Sequence, residues 1–122
     1  MAVKAVTPQK LTDFNELGDA VAFNAATTAA DGFTVDYTGK SARILILFKN
    51  TNASTTARSA TIKAGNGIQG VTDLATGDIA AGKIVPICIE SGAFKNVSGT
   101  NKGKVLIIPS HAELEIAVVE LP

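Results

Sequence analysis

The chain has 122 residues, 11 basic and 11 acidic side chains, a single cysteine and no tryptophan, and 46% of its residues are hydrophobic. That suffices for one domain with one modest core. Zero net charge removes any general electrostatic reason to bind DNA, RNA or an anionic membrane. One cysteine excludes an intrachain disulfide, as fits a reducing compartment, and no apolar run approaches the ~20 residues needed to span a bilayer.

Residues 2–10 mix small residues with Pro8, Lys4 and Lys10 and show no period, so they read as an extended arm. Leu11, Phe14 and Leu17 share a face if residues 11–17 form a helical turn, with Asp13 and Glu16 as a capping-box-like pair and Gly18 as the stop. Residues 20–23 are a short strand candidate, and 24–30 a loop or extended edge. After the turn signal Asp31-Gly32, Phe33, Val35 and Tyr37 alternate with Thr34, Asp36 and Thr38, the period of a half-buried strand. Residues 38–41 turn the chain into the next strand.

Residues 44–48, ILILF, are apolar without interruption between Arg43 and Lys49. Such a short run reads as a strand covered on both faces, central in a sheet or at a subunit contact. The polar residues 50–56, NTNASTT, then form a loop. In 57–64, Ala60, Ile62 and Ala64 face one way and Ser59, Thr61 and Lys63 the other, and the loop makes this strand the antiparallel partner of 44–48. Residues 65–67 are a tight turn, and 68–79 are weakly patterned. In 84–89, Pro86 cannot donate to a ladder, so the strand is an edge or carries a bulge. Cys88 lies within IVPICI and is expected as a small buried hydrophobe. Residues 93–97 are a short segment before a turn-rich stretch, and 105–108 form a second all-apolar strand stopped by Pro109. In 113–121, Leu114, Ile116 and Val118 oppose Glu113, Glu115 and Ala117. Strands spaced by Gly, Asn and Pro clusters predict an all-β fold. We expect an antiparallel β-sandwich or small β-barrel, Ig-like or jelly-roll-like, over residues 20–122, with residues 1–19 as an extended N-terminal arm.

Residues 65–70, GNGIQG, match the dinucleotide fingerprint, and Glu90 lies at the spacing of a ribose-binding acid. That motif works only where a helix starts and aims its N-terminus at the pyrophosphate. Here β-branched residues and Gly77 follow, so an Asn-Gly turn and a bulge explain the glycines. His111, the sole histidine, reads as a solvated loop residue beside Glu113. A metal there would rest on carboxylates alone, and no serine sits in a nucleophile-elbow context. Asp13, Glu16 and Asp19 suit a capped turn. Catalytic residues, metal ligands and cofactors are therefore not assigned. The two all-apolar strands need cover on both faces, from another subunit or from the N-terminal segment folding over them.

The segments DGFTVDYTGK, RILILFKNTNAS, ATIKAGNGIQG, ESGAFKNVSGTNKGKV and the closing AVVELP resemble the small capsid decoration (cement) proteins of tailed bacteriophages. The similarity runs from about Asp31 onward and lies in the strand-and-turn pattern. It implies a structural, non-enzymatic virion protein, made in the bacterial host cytoplasm and placed on the outer capsid surface. There it would clamp neighbouring subunits of the phage major capsid protein, as a homo-oligomeric trimer or dimer, without nucleic acid or membrane partners. The expected contact residues are Val3, Lys4, Val6, Pro8, Leu11 and Phe14 of the arm, ordering on the shell, and Ile44, Ile46 and Phe48 of the apolar strand. The alternatives are a phage tail tube or adaptor subunit and a carbohydrate-binding β-sandwich module. The second would need an exposed aromatic platform, for which Tyr37 and the few phenylalanines are the material.

Overall fold

A computed structural model describes residues 3–11, 13–38, 44–68 and 72–122. Their elements, in chain order, are β1 (Lys4–Val6), β2 (Gln9–Lys10), β3 (Phe33–Asp36), β4 (Ile44–Asn50), β5 (Ala60–Ile62), β6 (Leu74–Ala75), β7 (Ile84–Ile87), a one-turn helix α1 (Ser91–Phe94), β8 (Lys104–Pro109) and β9 (Leu114–Glu120). Two sheets result, with strand orders β1-β3-β8-β5-β6 and β2-β9-β4-β7. The all-β expectation holds.

Three features of the expected architecture are corrected. Both sheets are mixed rather than antiparallel, because β1 runs parallel to β3 and β2 parallel to β9. Each sheet keeps two free edges, so neither closes into a barrel. The polar loop after β4 does not make a hairpin: β4 pairs with β9 and β7 in one sheet, whereas β5 pairs with β8 and β6 in the other. Residues 51–57 therefore carry the chain from sheet to sheet.

The N-terminal residues do not stand apart as an arm. They are extended, as expected, but they edge both sheets: Lys4 N donates to Gly32 O at 3.0 Å and Leu11 N to Glu120 O at 2.9 Å. The helical turn expected over residues 11–17 is not seen over its described residues 13–17. The chain bends and turns at 13–16, Asn15 adopts φ 60°, and Asp13 Oδ1 accepts from the adjacent Phe14 N. With Phe14 and Leu17 left outside the core, no apolar face rewards a helix this short. Residues 20–23 are not a strand; the chain touches the sheet through one antiparallel bridge, Asn24 with Ile116.

The core follows strand alternation. Phe33, Val35 and Tyr37 from the first sheet, Ile62, Val105 and Ile107 beside them, and Ile44, Ile46, Phe48, Leu114 and Ile116 from the second belong to one buried cluster. β4 is central, as expected, and buries alternate residues: Ile44, Ile46, Phe48 and Asn50 are enclosed, while Leu45, Leu47 and Lys49 are half-buried. β7 is an edge strand, in accord with Pro86. Pro109 ends β8 as its last residue. Cys88 is exposed, correcting the buried expectation; the enclosed neighbour is Ile89. Among the described residues, no helix starts at Gly65 or Gly67. Gly65 is glycine because a Cβ there would meet Lys95 O at 2.5 Å. Arg43, Gly70 and the expected turn beyond Thr38 lie outside the described residues.

Candidate functional site

The residues expected to touch a partner fall into two groups. Ile44, Ile46 and Phe48 are at most 1% exposed and Val6 is 5% exposed. Their surface is consumed inside the chain, so the interface expectation is corrected for these four. Val3, Lys4, Pro8 and Leu11 are half-buried, and only Phe14, 69% exposed, offers a free apolar side chain.

The available surface belongs to the opposite phase of the same strand. Cross-strand partners share a sheet face. Leu45 pairs with Val119, and Leu47 pairs with Ala117 on one side and Pro86 on the other. Lys49 pairs with Glu115 and with Ile84. The outer face of this sheet is therefore apolar across three strands and ends in the Lys49–Glu115 row. The side chain of Lys49 identifies the outward phase, because a lysine beside an apolar run marks the solvent side. The uninterrupted run 44–48 hides that phase, but Lys49 carries it.

Part of this face is covered from within. Gln9 Nε2 donates to Asp19 O at 2.9 Å, and Asn24 N donates to Ile116 O at 2.7 Å. The chain between these anchors runs beside β2 and β9. Phe23, one residue from the bridge, falls on the side of Ala117, and Lys49 Nζ lies 5.2 Å from its ring centroid, a cation–π contact. Ala117 and Val119 are accordingly buried although they point away from the core. Of the two covers expected for the apolar strand, the N-terminal segment supplies this one. Leu45 and Leu47 remain half-buried and Pro86 exposed, Ile84 is 52% exposed, and Leu17 and Val21 also face solvent. Leu11, Phe14, Leu121 and Pro122 help to line an open hollow of about 440 Å³ next to this segment.

A second constellation is polar. Glu113 Oε1 accepts from Asn52 Nδ2 and from Arg58 Nη2, both at 2.9 Å. These bonds, the Asn52 one foremost, hold the Glu113 carboxyl below its ordinary value. His111 Nδ1 accepts from Glu113 N at 3.1 Å and lies 3.5 Å from the carboxylate. Glu113 thus joins the start of β9 to the loop after β4. Its contacts are those of a brace, with the acid engaged by two donors. Tyr37 is fully buried and its hydroxyl has no hydrogen-bond partner among the described residues; burial pushes its ionisation far upward, with Cys88 adding to the effect. Among the described residues no three His, Cys, Asp or Glu side chains gather as a metal centre requires, and no helix is long and apolar enough to cross a membrane.

Comparisons with protein-family models, with curated proteins and with solved structures found no match.

Proposed function

We propose that the chain is a structural virion protein that decorates a tailed-phage capsid, binding across subunits of the major capsid protein. The two sheets are read as a β-sandwich, with the five-stranded sheet on one side of the core and the four-stranded sheet on the other. The observation that carries the reading is the half-open apolar face formed by Leu45, Leu47, Ile84 and Pro86. Contiguous exposed apolar surface on a small domain marks a protein contact. The occupant is taken to be the capsid shell because the strand-and-turn pattern resembles decoration proteins. Docking of many copies, as trimers or dimers, would add contact area across subunit boundaries and act through avidity.

The experiment mixes purified protein with expanded capsids and with unexpanded procapsids, and reads occupancy by electron microscopy and sedimentation. Stoichiometric binding to the expanded shell, abolished by Leu47→Lys in a protein that still folds, is the expected result. No binding, or unchanged binding by the variant, rejects the assignment. Assembly into tubes without capsids would select the tail reading instead. The carbohydrate reading loses its platform, since Tyr37 is buried and Phe14 is the only strongly exposed aromatic among the described residues.

A further inference from the structure

Two adjoining hollows lie at the far end of the five-stranded sheet and share Asn96. One, of about 380 Å³, is lined by Thr38, Lys95, Asn96, Val97, Lys102 and Gly103. The other, of about 300 Å³, reaches Lys63, Asn66, Ser98 and Thr100. Each is in the size range of a ligand pocket, and side by side they form an elongated cleft.

The walls are fixed by bonds within the chain. Asn96 N donates to Lys104 O at 3.0 Å and Gly103 N to Asn96 O at 2.7 Å. Tyr37 N donates to Gly103 O at 2.8 Å, which ties the lobe to the end of β3. Asn66 clamps the tip: its Oδ1 accepts from Val97 N at 2.8 Å and its Nδ2 donates to Ser98 O at 3.1 Å. Gly103 has φ 79°, and a Cβ there would collide with Thr38 Oγ1 across the first hollow. The cleft is thus preorganised rather than formed on binding.

Its charge is one-sided, although the whole chain is neutral. Three lysines, Lys63, Lys95 and Lys102, line the hollows and no carboxylate does. The acids that border it are engaged: Asp73 bonds Lys63 Nζ and Ala64 N, each at 2.7 Å, and Asp36 Oδ1 accepts from Thr38 N at 2.9 Å. Lys95 and Lys102 make no ion pair among the described residues. Enclosed phosphate sites add converging free backbone N–H groups or arginine forks to any lysine charge. Here the amides of Asn96, Val97, Lys102, Gly103 and Lys104 all donate within the lobe. What remains is two ammonium groups on flexible stems, with Val97, Ala64 and Leu106 as the apolar side chains of the lining. That suits a chain carrying both carboxylates and apolar side chains.

We propose that this cleft binds an acidic peptide segment of a partner protein, with Lys95 and Lys102 receiving its carboxylates. The inference is independent of the capsid assignment, which rests on the other sheet. The test is an amide NMR titration of the full chain with a capped peptide of alternating glutamate and leucine, with inorganic phosphate titrated separately. Saturable shifts confined to residues 95–104, 63–66 and Thr38 are expected. They should weaken by about tenfold in Lys95→Glu/Lys102→Glu, the size expected from reversing two exposed pairs, and on raising salt. The milder Lys95→Gln/Lys102→Gln should weaken binding less, and both variants should keep the dispersed spectrum of the folded chain. No saturable shifts, shifts elsewhere, or equal affinity in a folded variant overturns the proposal. So does phosphate that binds the same residues more tightly than the peptide.

Discussion

Asn50 Nδ2 donates to the carbonyl oxygen of Ile79 at 2.8 Å, from a side chain with no exposed surface. The same amide nitrogen reaches Thr56 O at 3.0 Å, and Oδ1 accepts from Asn52 N at 3.0 Å. One buried carboxamide therefore fixes both ends of the sheet-to-sheet loop and ties it to the segment before β7. Asn50→Ala should destabilise the fold by about 2–3 kcal/mol, because the buried Ile79 carbonyl and the part-buried Thr56 carbonyl and Asn52 N–H lose their partner. Asn50→Asp should be worse at neutral pH, since it turns a buried anion toward two carbonyl oxygens. Equilibrium urea unfolding of the three proteins checks the order.

Pro86 protects the free edge of the four-stranded sheet. Asn50 N donates to Lys83 O at 3.1 Å and Gly82 N donates to Asn50 O at 2.8 Å, so Asn50 directs its backbone groups toward β7. Alternate residues of a strand point the same way. Phe48 and Ile46 therefore also bond β7, whereas Leu47 bonds β9. Pro86, opposite Leu47, aims its nitrogen at solvent. The proline removes an outward donor and breaks no ladder bond. Pro86→Thr should leave unfolding stability within about 1 kcal/mol of the parent. It should also raise concentration-dependent self-association in sedimentation velocity. A variant as monodisperse as the parent would contradict this role.

The phase of β4 predicts an asymmetry between adjacent residues. Ile46 is fully buried and Leu47 half-buried. Ile46→Ala should cost about 3 kcal/mol or more, because it opens a cavity in the shared core. Leu47→Ala should cost about 1 kcal/mol, yet it alone should weaken docking if the outer face is the contact surface. Thermal unfolding of each variant, read beside capsid sedimentation, separates the two effects.

The pattern of polar and apolar residues made much of this architecture legible. Phe33, Val35 and Tyr37 announced their face, Leu114, Ile116 and Val118 announced theirs, and Pro86 announced an edge. Partner choice was not legible, because alternation says which way a side chain points and nothing about which strand lies beside it. The polar stretch 51–57 looks the same as a hairpin loop and as a crossover. What decides is Asn50, whose buried side chain reaches Ile79, 29 residues on. The parallel docking of β1 and β2 is equally long-range. The exposed face of β4 was misread for a local reason: five consecutive apolar residues carry no phase of their own, and the signal lay one residue further on, in Lys49. The Lys95–Lys102 cleft was invisible, since it needs the lobe 95–104 to fold against Thr38 and Asn66.

Glu113 makes the brace between β9 and the loop sensitive to acid. Its folded carboxyl ionises below the ordinary value through Asn52 and Arg58, so its stabilising effect is present above the unfolded value, about 4.3. The effect is lost as pH falls through the folded value. Asp73, lowered chiefly by Lys63 and then by Ala64 N, behaves with the same sign. In calorimetric melts over an acid series, Glu113→Gln should start less stable than the parent at neutral pH and converge with it in strong acid. Asp73→Asn should converge likewise and independently, because its partners Lys63 and Ala64 are separate from those of Glu113. Curves that run parallel at every pH would mean that neither carboxylate is held by the bonds seen here.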